Sequence, residues 1–113
     1  MIRLFPVLTL ALGLPMAAQA QTVMTPIADA ARGTMVTVQG TVERITDEDE
    51  FRLADATGSI QIYVGPNWVP AELGETVTVN GFVDYNLIGP KEIYARELIR
   101  ADGSVVTFAR TYE

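Results

Sequence analysis

The sequence predicts an all-β protein: a five-stranded barrel with a short helix before it and one short extra strand after it. Residues 51–64 alternate apolar and polar side chains on both sides of a turn between Asp55 and Gly58. This pattern is typical of a β-hairpin with one buried and one solvated face. Glycines also interrupt two other strand-like segments, at Gly40 and Gly81, as expected where strands bend to close a barrel.

Residues 1–20 have the pattern of a secretory signal peptide. Arg3 precedes an apolar run over residues 4–14, and small residues around Ala18 and Ala20 predict cleavage after Ala20. The run is shorter than the roughly 20 residues that span a bilayer, so no membrane span is expected once the signal is removed. We predict export to the periplasm, with residues 21–33 as an N-terminal segment and residues 34–113 as the barrel domain.

The first elements after the signal are predicted to be a short helix and a long strand. Thr25 would cap a helix over residues 26–32, with Pro26 in its first turn and Gly33 at its end. The first strand covers residues 35–45 and bends at Gly40. Its inward residues are predicted to be Val36, Val38, Val42 and Ile45.

The remaining strands follow the hairpin. Pro66 and Pro70 prevent the connection over residues 65–74 from continuing a strand. The fourth strand covers residues 75–85 and the fifth 91–100, with a loop between them, and a last short strand covers 105–109. The predicted inward residues are Val77, Val79 and Phe82 in the fourth strand, and Ile93, Ala95 and either Leu98 or Ile99 in the fifth.

The composition excludes most kinds of catalysis. The chain has no His and no Cys, which removes a serine–histidine triad, a thiol nucleophile and an imidazole metal site. Its acidic residues cluster in a loop or alternate along exposed strand faces, unlike the paired acids of a hydrolase cleft. We therefore predict a non-enzymatic protein without a cofactor or metal ion. A net charge of −6 disfavours nucleic acid and is compatible with cationic partners.

The solvated face of the hairpin is the first candidate binding surface. It carries Arg52, Gln61 and Tyr63, and the fifth strand is expected to add Tyr94 and Arg96 beside them. Aromatic rings with arginines suit stacking on bases or sugars. The alternative is an ordinary half-exposed sheet face, where tyrosine and arginine are common.

An acidic loop lies just before the hairpin. It could hold a hard cation, but its spacing lacks the alternating ligands of a calcium-binding loop, so a solvated loop that steers cationic ligands is favoured. The residues of this electrostatic loop are Asp47, Glu48, Asp49 and Glu50.

Three large apolar residues lie in the connections. Trp68 could be a stacking platform for a ligand, or it could plug the open end of the barrel, which its size favours. Leu87 and Ile88 could contact a partner, or they could fold back over the rim of the barrel, which we favour.

Four segments carry a resemblance to a known family. They are residues 38–42 (VQGTV), 55–60 (DATGSI), 73–81 (LGETVTVNG) and 92–95 (EIYA). Together they resemble the bacterial OB-fold (BOF) family of small exported, stress-associated proteins, and more broadly nucleic-acid-binding-like OB domains. The resemblance implies an OB-fold, a partly open Greek-key barrel. It also implies a periplasmic binding role without catalysis, and it supplies no catalytic residues.

The leading hypothesis is a periplasmic binding module for a polar envelope ligand, a glycan fragment or a cationic peptide. Its site would combine the hairpin face with the loops over residues 46–50 and 86–91, which flank the usual OB-fold binding face. Two alternatives stay open: a domain that binds single-stranded nucleic acid, and a protein-interaction adaptor of the envelope.

Overall fold

The computed structural model describes residues 23–109, so the predicted signal peptide lies outside the described residues. Within this range the chain forms six strands and one short 3-10 turn. The elements are the 3-10 turn Ile27–Asp29, then β1 (Met35–Asp47), β2 (Glu50–Asp55), β3 (Gly58–Tyr63), β4 (Thr76–Val83), β5 (Glu92–Ile99) and β6 (Val105–Thr107).

The strands form one sheet that closes on itself. Its order is β3-β2-β1-β4-β5-β6. A parallel pairing between the edge strand β3 and β5 closes the sheet into a barrel. This seam pairs Gln61–Tyr63 with Glu92–Tyr94. The long β1 pairs with β4 along its first half and with β2 along its second half. The predicted five-stranded OB barrel with an extra C-terminal strand is confirmed.

Two glycines allow the barrel to close. A Cβ atom at Gly40 of β1 would lie 2.3 Å from the carbonyl oxygen of Ala54 in β2. One at Gly81 of β4 would lie 2.5 Å from the carbonyl oxygen of Tyr94 in β5. Both distances are too short for real side chains, so each predicted bend marks a place where two backbones approach more closely than any other residue allows.

The barrel interior is filled by the inward residues of all five strands. The predicted inward face of the hairpin is confirmed, and among residues 23–109 no polar or charged side chain is buried. Burial of these side chains stabilises each by roughly 1.5–3 kcal/mol relative to exposure. The largest fully buried side chains are Phe51, Leu53, Ile62, Ile93 and Leu98.

Two of the predicted inward residues are not buried in the barrel. The register shift of β1 against β2 between Val42 and Arg44 pairs Ile45 with the buried Phe51, but Ile45 lies in the exposed last part of β1 and is itself 44% exposed. Phe82 is only half-buried, because β4 keeps its alternation through Gly81 and buries Val83 instead. The extra residue of the irregularity lies on β5, where it turns Leu98 inward rather than Ile99.

The predicted helix over residues 26–32 is wrong. Its N–H groups find partners in the β2–β3 turn: Ile27 N–H donates to Asp55 Oδ2 at 2.9 Å, and Ala28 N–H to Thr57 Oγ1 at 3.0 Å. A helix this short is unfavourable to nucleate, so these bonds hold the segment in a single 3-10 turn. Ile27 and Ala30 are buried against the barrel core. The described residues contain no helix that is long and apolar enough to cross a membrane.

Candidate functional site

A groove of about 930 Å³ lies on the outer face of β4 and β5, beside the loop over residues 84–91 that connects them. We call this segment the β4–β5 loop. The groove is lined by large apolar or aromatic residues together with three polar ones. The lining residues are Met35, Phe82, Tyr85, Leu87, Ile88 and Tyr94, with Asp84, Asn86 and Arg96.

A row of outward side chains crosses four strands, and three of its members, Met35, Phe82 and Tyr94, line the groove. Met35 of β1 pairs with Phe82 of β4, which pairs with Tyr94 of β5, which pairs with Tyr63 of β3. The Tyr63 and Tyr94 rings meet edge to face, with centroids 5.9 Å apart. Phe82 makes a similar edge-to-face contact with Tyr85, which lies outside the row, and their ring centroids are 6.1 Å apart. The apolar wall therefore continues from the loop to the closing seam of the barrel.

A second, polar row runs next to the apolar one. Asp84 follows β4 and donates its backbone N–H to the carbonyl oxygen of Glu92 at 2.9 Å, so their carboxylates are cross-strand neighbours. Glu92 pairs with Gln61 across the seam, and Gln61 pairs with Arg52. Gln61 also donates its side-chain amide to Glu50 Oε1 at 3.2 Å. We call Asp84, Glu92 and Glu50 the carboxylate row.

The carboxylate row changes the protonation of Glu92. Partial burial against the seam is the largest cause, and the charge and hydrogen bond of Glu50 add to it, followed by the charges of Asp84 and Asp49. Together they raise the pKa of Glu92 to about 7, well above the usual value for a carboxyl group. A carboxyl group of this kind exchanges its proton near neutral pH.

The β4–β5 loop is held in place from the N-terminal segment. Arg32 donates to the carbonyl oxygens of Asn86 and, at 2.8 Å, of Gly89. At the end of the loop, Lys91 Nζ donates to the carbonyl oxygen of Ala30 at 2.6 Å. The loop backbone is thereby fixed to the barrel while its two apolar side chains at positions 87 and 88 point to solvent.

The structure brings the predicted face residues together in two groups. Arg52 donates to Gln61 Oε1 at 3.2 Å, which places both in the polar row. Tyr63 and Tyr94 form the edge-to-face pair, and Tyr94 lines the groove together with Arg96. Arg96 is the extra residue of the β5 bulge.

The predicted acidic loop is divided by the structure. β1 extends to Asp47, so the turn itself consists of Glu48 and Asp49. Asp47 and Glu48 are exposed, whereas Asp49 and Glu50 lie near enough to Glu92 to raise its pKa. Within residues 23–109 no group of three or more His, Cys, Asp or Glu side chains is placed to hold a metal ion.

The interpretation of Trp68 as a barrel plug is wrong. Its side chain is 75% exposed, and it does not line the groove. The backbone N–H of Val69 donates to the carbonyl oxygen of Glu48 at 2.9 Å, which places the connection against the β1–β2 turn. Val64 and Ala71 are buried in the core and Val69 packs against it, so smaller side chains close this end.

Leu87 and Ile88 do not fold back over the rim. They are 83% and 85% exposed, and both line the groove. Their exposure agrees with the other sequence hypothesis, a contact point for a partner. The loop over residues 86–91, expected to belong to the site, forms one side of the groove.

Comparison with family models identifies the chain. A model described as "Bacterial OB fold (BOF) protein" matches residues 11–100. The chain belongs to the BOF family. The predicted resemblance is thus confirmed, over most of the described barrel.

Solved structures support the same fold. The structure titled "Structure of the hypothetical protein ygiW from E. coli" matches with a TM-score of 0.59 and 22% sequence identity. The match covers 70% of this chain and 90% of the ygiW chain. A likeness at this identity shows that the two proteins share a fold. A search of curated proteins found no significant match.

Several residues in or beside the groove of this BOF-family chain were not predicted from the sequence. Glu92 was noticed only as part of a family segment, although its outward position at the start of the fifth strand was a usable signal. Asp84 and Glu92 become neighbours only once β4 and β5 are paired in the correct register. The lining residues that the sequence did not predict are Met35, Phe82, Asp84 and Tyr85.

Proposed function

We propose that this BOF-family chain is a non-enzymatic binding module exported to the periplasm, and that it binds a cationic peptide in the groove beside the β4–β5 loop. The observation that carries the proposal is the union of an exposed apolar groove with the carboxylate row along its border. Export rests on the signal-peptide pattern of residues 1–20.

The apolar part of the groove favours a protein-like ligand. Tyr85, Leu87 and Ile88 are between 72% and 85% exposed and lie side by side on one loop. Contiguous exposed apolar residues of this size mark contact surfaces, because leaving them in water is unfavourable. Aliphatic side chains offer a sugar few hydrogen bonds, so they suit the apolar side chains of a peptide better than a glycan fragment.

The charged part of the groove favours a cation. Asp84 lines the groove and Glu92 is its cross-strand neighbour, with Glu50 beyond it. Like charges directly opposite each other on a sheet are destabilising, and a basic ligand group would relieve that repulsion. The same carboxylates would repel the phosphates of a nucleic acid, which makes that alternative less favourable.

Calorimetric titration with a synthetic peptide tests the proposal. The probe is a short peptide that alternates lysine with leucine and phenylalanine, and its control replaces every lysine by glutamate. We expect the chain without residues 1–20 to bind the lysine peptide and not the glutamate peptide. Leu87→Ser combined with Ile88→Ser should weaken binding by roughly tenfold or more, since two contact residues are lost.

A matched variant separates site loss from general charge change. Glu43 is an exposed residue of β1 that does not line the groove, and Glu43→Gln removes one negative charge there. Its affinity for the lysine peptide should equal that of the wild type, whereas Asp84→Asn should weaken binding. Equal affinities for all these variants, or amide NMR shifts confined to residues outside the groove, would contradict the proposed site.

A further inference from the structure

We propose that the groove binds the C-terminal end of its peptide ligand, with the free carboxylate on Arg96 and a basic side chain of the peptide, three or four residues earlier, beside Asp84. This inference rests on the proposed function, because it concerns the same groove and the same class of ligand. It adds the direction of the bound peptide, and it assigns Arg96 as the residue that distinguishes a chain end from an internal segment.

Asp84 and Arg96 line the groove on opposite sides of the paired residues Phe82 and Tyr94. Asp84 lies opposite Glu92, because its backbone N–H donates to the carbonyl oxygen of Glu92 at 2.9 Å. Tyr94 lies opposite Phe82, and Arg96 follows two residues further along β5. At about 3.3 Å per residue, the acidic and basic ends of the groove are roughly 13 Å apart along the strand. An extended peptide spans this distance with about four residues.

The irregularity of β5 directs Arg96 to the groove. The pairing of β5 with β4 passes from Ala95 to Glu97, so Arg96 is the extra residue between two paired positions. Bulges near binding sites commonly redirect a side chain in this way. The backbone at this point is fixed from the other side, because the N–H of Phe108 donates to the carbonyl oxygen of Arg96 at 2.9 Å. The position of the guanidinium group therefore depends on a rigid part of the sheet.

The surface between the two charges is apolar. Phe82 and Tyr94 lie on the sheet, and Met35 continues them toward β1. Leu87 and Ile88 line the same groove from the β4–β5 loop, and both are exposed. The peptide residues between the basic side chain and the carboxylate would meet this surface, so large apolar side chains are favoured there.

A terminal carboxylate suits Arg96 better than an internal peptide group does. A guanidinium group is planar and can donate two parallel hydrogen bonds to a carboxylate, and such charge-assisted bonds are roughly twice as strong as neutral ones. An internal segment of a longer chain would offer Arg96 only a neutral carbonyl oxygen.

The charges also favour one direction of the peptide. In the reverse direction the carboxylate of the peptide would lie beside Asp84 and Glu92, and its basic side chain beside Arg96. Both contacts bring like charges together, and like-charge contacts of this kind exclude a wrong orientation.

Calorimetry with two peptides that differ in one group tests this inference. Both are acetylated and have the sequence lysine, leucine, phenylalanine, leucine, and one ends in a free carboxylate while the other ends in an amide. The chain without residues 1–20 should bind the free acid about tenfold more tightly, at about 0.15 M salt. The net charge of −6 alone would favour the amide, because the amide carries one more positive charge.

Two variants locate the preference. Arg96→Gln should bind the free acid and the amide equally, with the affinity that the wild type has for the amide. Unchanged binding of the amide also shows that this variant is folded. Arg44→Gln is the matched control, because Arg44 is an exposed arginine of β1 that does not line the groove. It should keep the full preference for the free acid.

A third peptide separates the chain end from other carboxylates. It is an amide whose last leucine is replaced by glutamate, and it should bind less tightly than the free acid. Equal affinity for the three peptides, a glutamate amide that matches the free acid, or a preference that Arg96→Gln retains would overturn this inference and leave the proposed function standing. Absence of binding by every lysine-containing peptide would overturn both.

Discussion

The two ends of the β4–β5 ladder each hold a glutamate, and their environments are opposite. At one end, Glu75 accepts two hydrogen bonds from Arg100, at 2.7 and 3.0 Å, and two more from the backbone N–H groups of Ala101 and Glu72. These contacts lower its pKa to about 2. At the other end, Glu92 faces Asp84 and Glu50, and its pKa is raised to about 7.

The difference bears on the proposed function, which places a basic ligand group at only one of the two ends. Glu75 has its counter-ion inside the chain, and the hydrogen bonds that it accepts from Arg100 and Ala101 fix the connection of β5 with β6 to the start of β4. Glu92 lies close to the carboxylates of Glu50, Asp84 and Asp49, whose charges raise its pKa. A perturbed carboxyl group of this kind supports, as part of the proposed function, a basic ligand group at the Glu92 end.

The largest expected effect comes from breaking the ladder between the two ends. Gly81→Val would put a side chain 2.5 Å from the carbonyl oxygen of Tyr94, so we expect a loss of about 2–4 kcal/mol in the free energy of unfolding. Urea unfolding followed by circular dichroism measures it. Gly58→Val is the control, because a Cβ at Gly58 meets nothing within 4 Å. Similar losses in both variants would show that close approach at Gly81 is unimportant.

A smaller effect is expected at the carboxylate row. Because the folded state raises the pKa of Glu92 to about 7, protonation contributes stability that is fully present below the ordinary value near 4.5 and is lost as pH rises through 7. Glu92→Gln should therefore be more stable than the wild type by about 1–2 kcal/mol at about pH 8, and by little at about pH 4. Urea unfolding at the two pH values measures this difference. A stabilisation of equal size at both pH values would show that the pKa of Glu92 is not raised in the folded state.

The smallest effect is expected at the internally paired end. Glu75→Gln loses the charge that Arg100 and two backbone N–H groups contact, so the Tm near pH 7 should fall by roughly 5 °C. The pKa of Glu75 is lowered, so its contribution is present above about 4.5 and is lost as pH falls through about 2. Thermal unfolding of variant and wild type should therefore converge toward pH 2. If the full difference in Tm between Glu75→Gln and the wild type persisted near pH 2, the loss of Tm would come from the changed shape of the side chain and not from its charge.

The parts of the fold that local patterns determine were predictable. Alternation placed Phe51, Leu53 and Ile62 in the core, and glycines marked the bends, because both features depend only on neighbouring residues in the chain. The inward position of Leu98 depends on a register shift between β4 and β5. Local periodicity contains no information about that shift, so the interior of the barrel was predicted better beside β2 and β3 than beside β4 and β5.

The candidate site was predictable to a similar extent. Tyr94, Arg96 and the 86–91 loop were expected there from the usual binding face of the fold, and the groove contains all three. The neighbouring carboxylates of Asp84 and Glu92 come from strand pairing across a loop, which only the folded chain reveals. The prediction of an N-terminal helix was wrong for the same reason. The N–H groups of Ile27 and Ala28 donate to side chains 28 and 29 residues away in the chain, at the β2–β3 turn.

The exposure of Trp68 determines how this protein can be observed. It is the single tryptophan of the chain, and its indole is already in water in the folded state. Intrinsic fluorescence should therefore change little on unfolding, and a flat fluorescence trace must not be interpreted as resistance to denaturant. The same indole lies on the connection next to the β1–β2 turn, outside the groove, where it serves as a natural optical reference for titrations at the other surface.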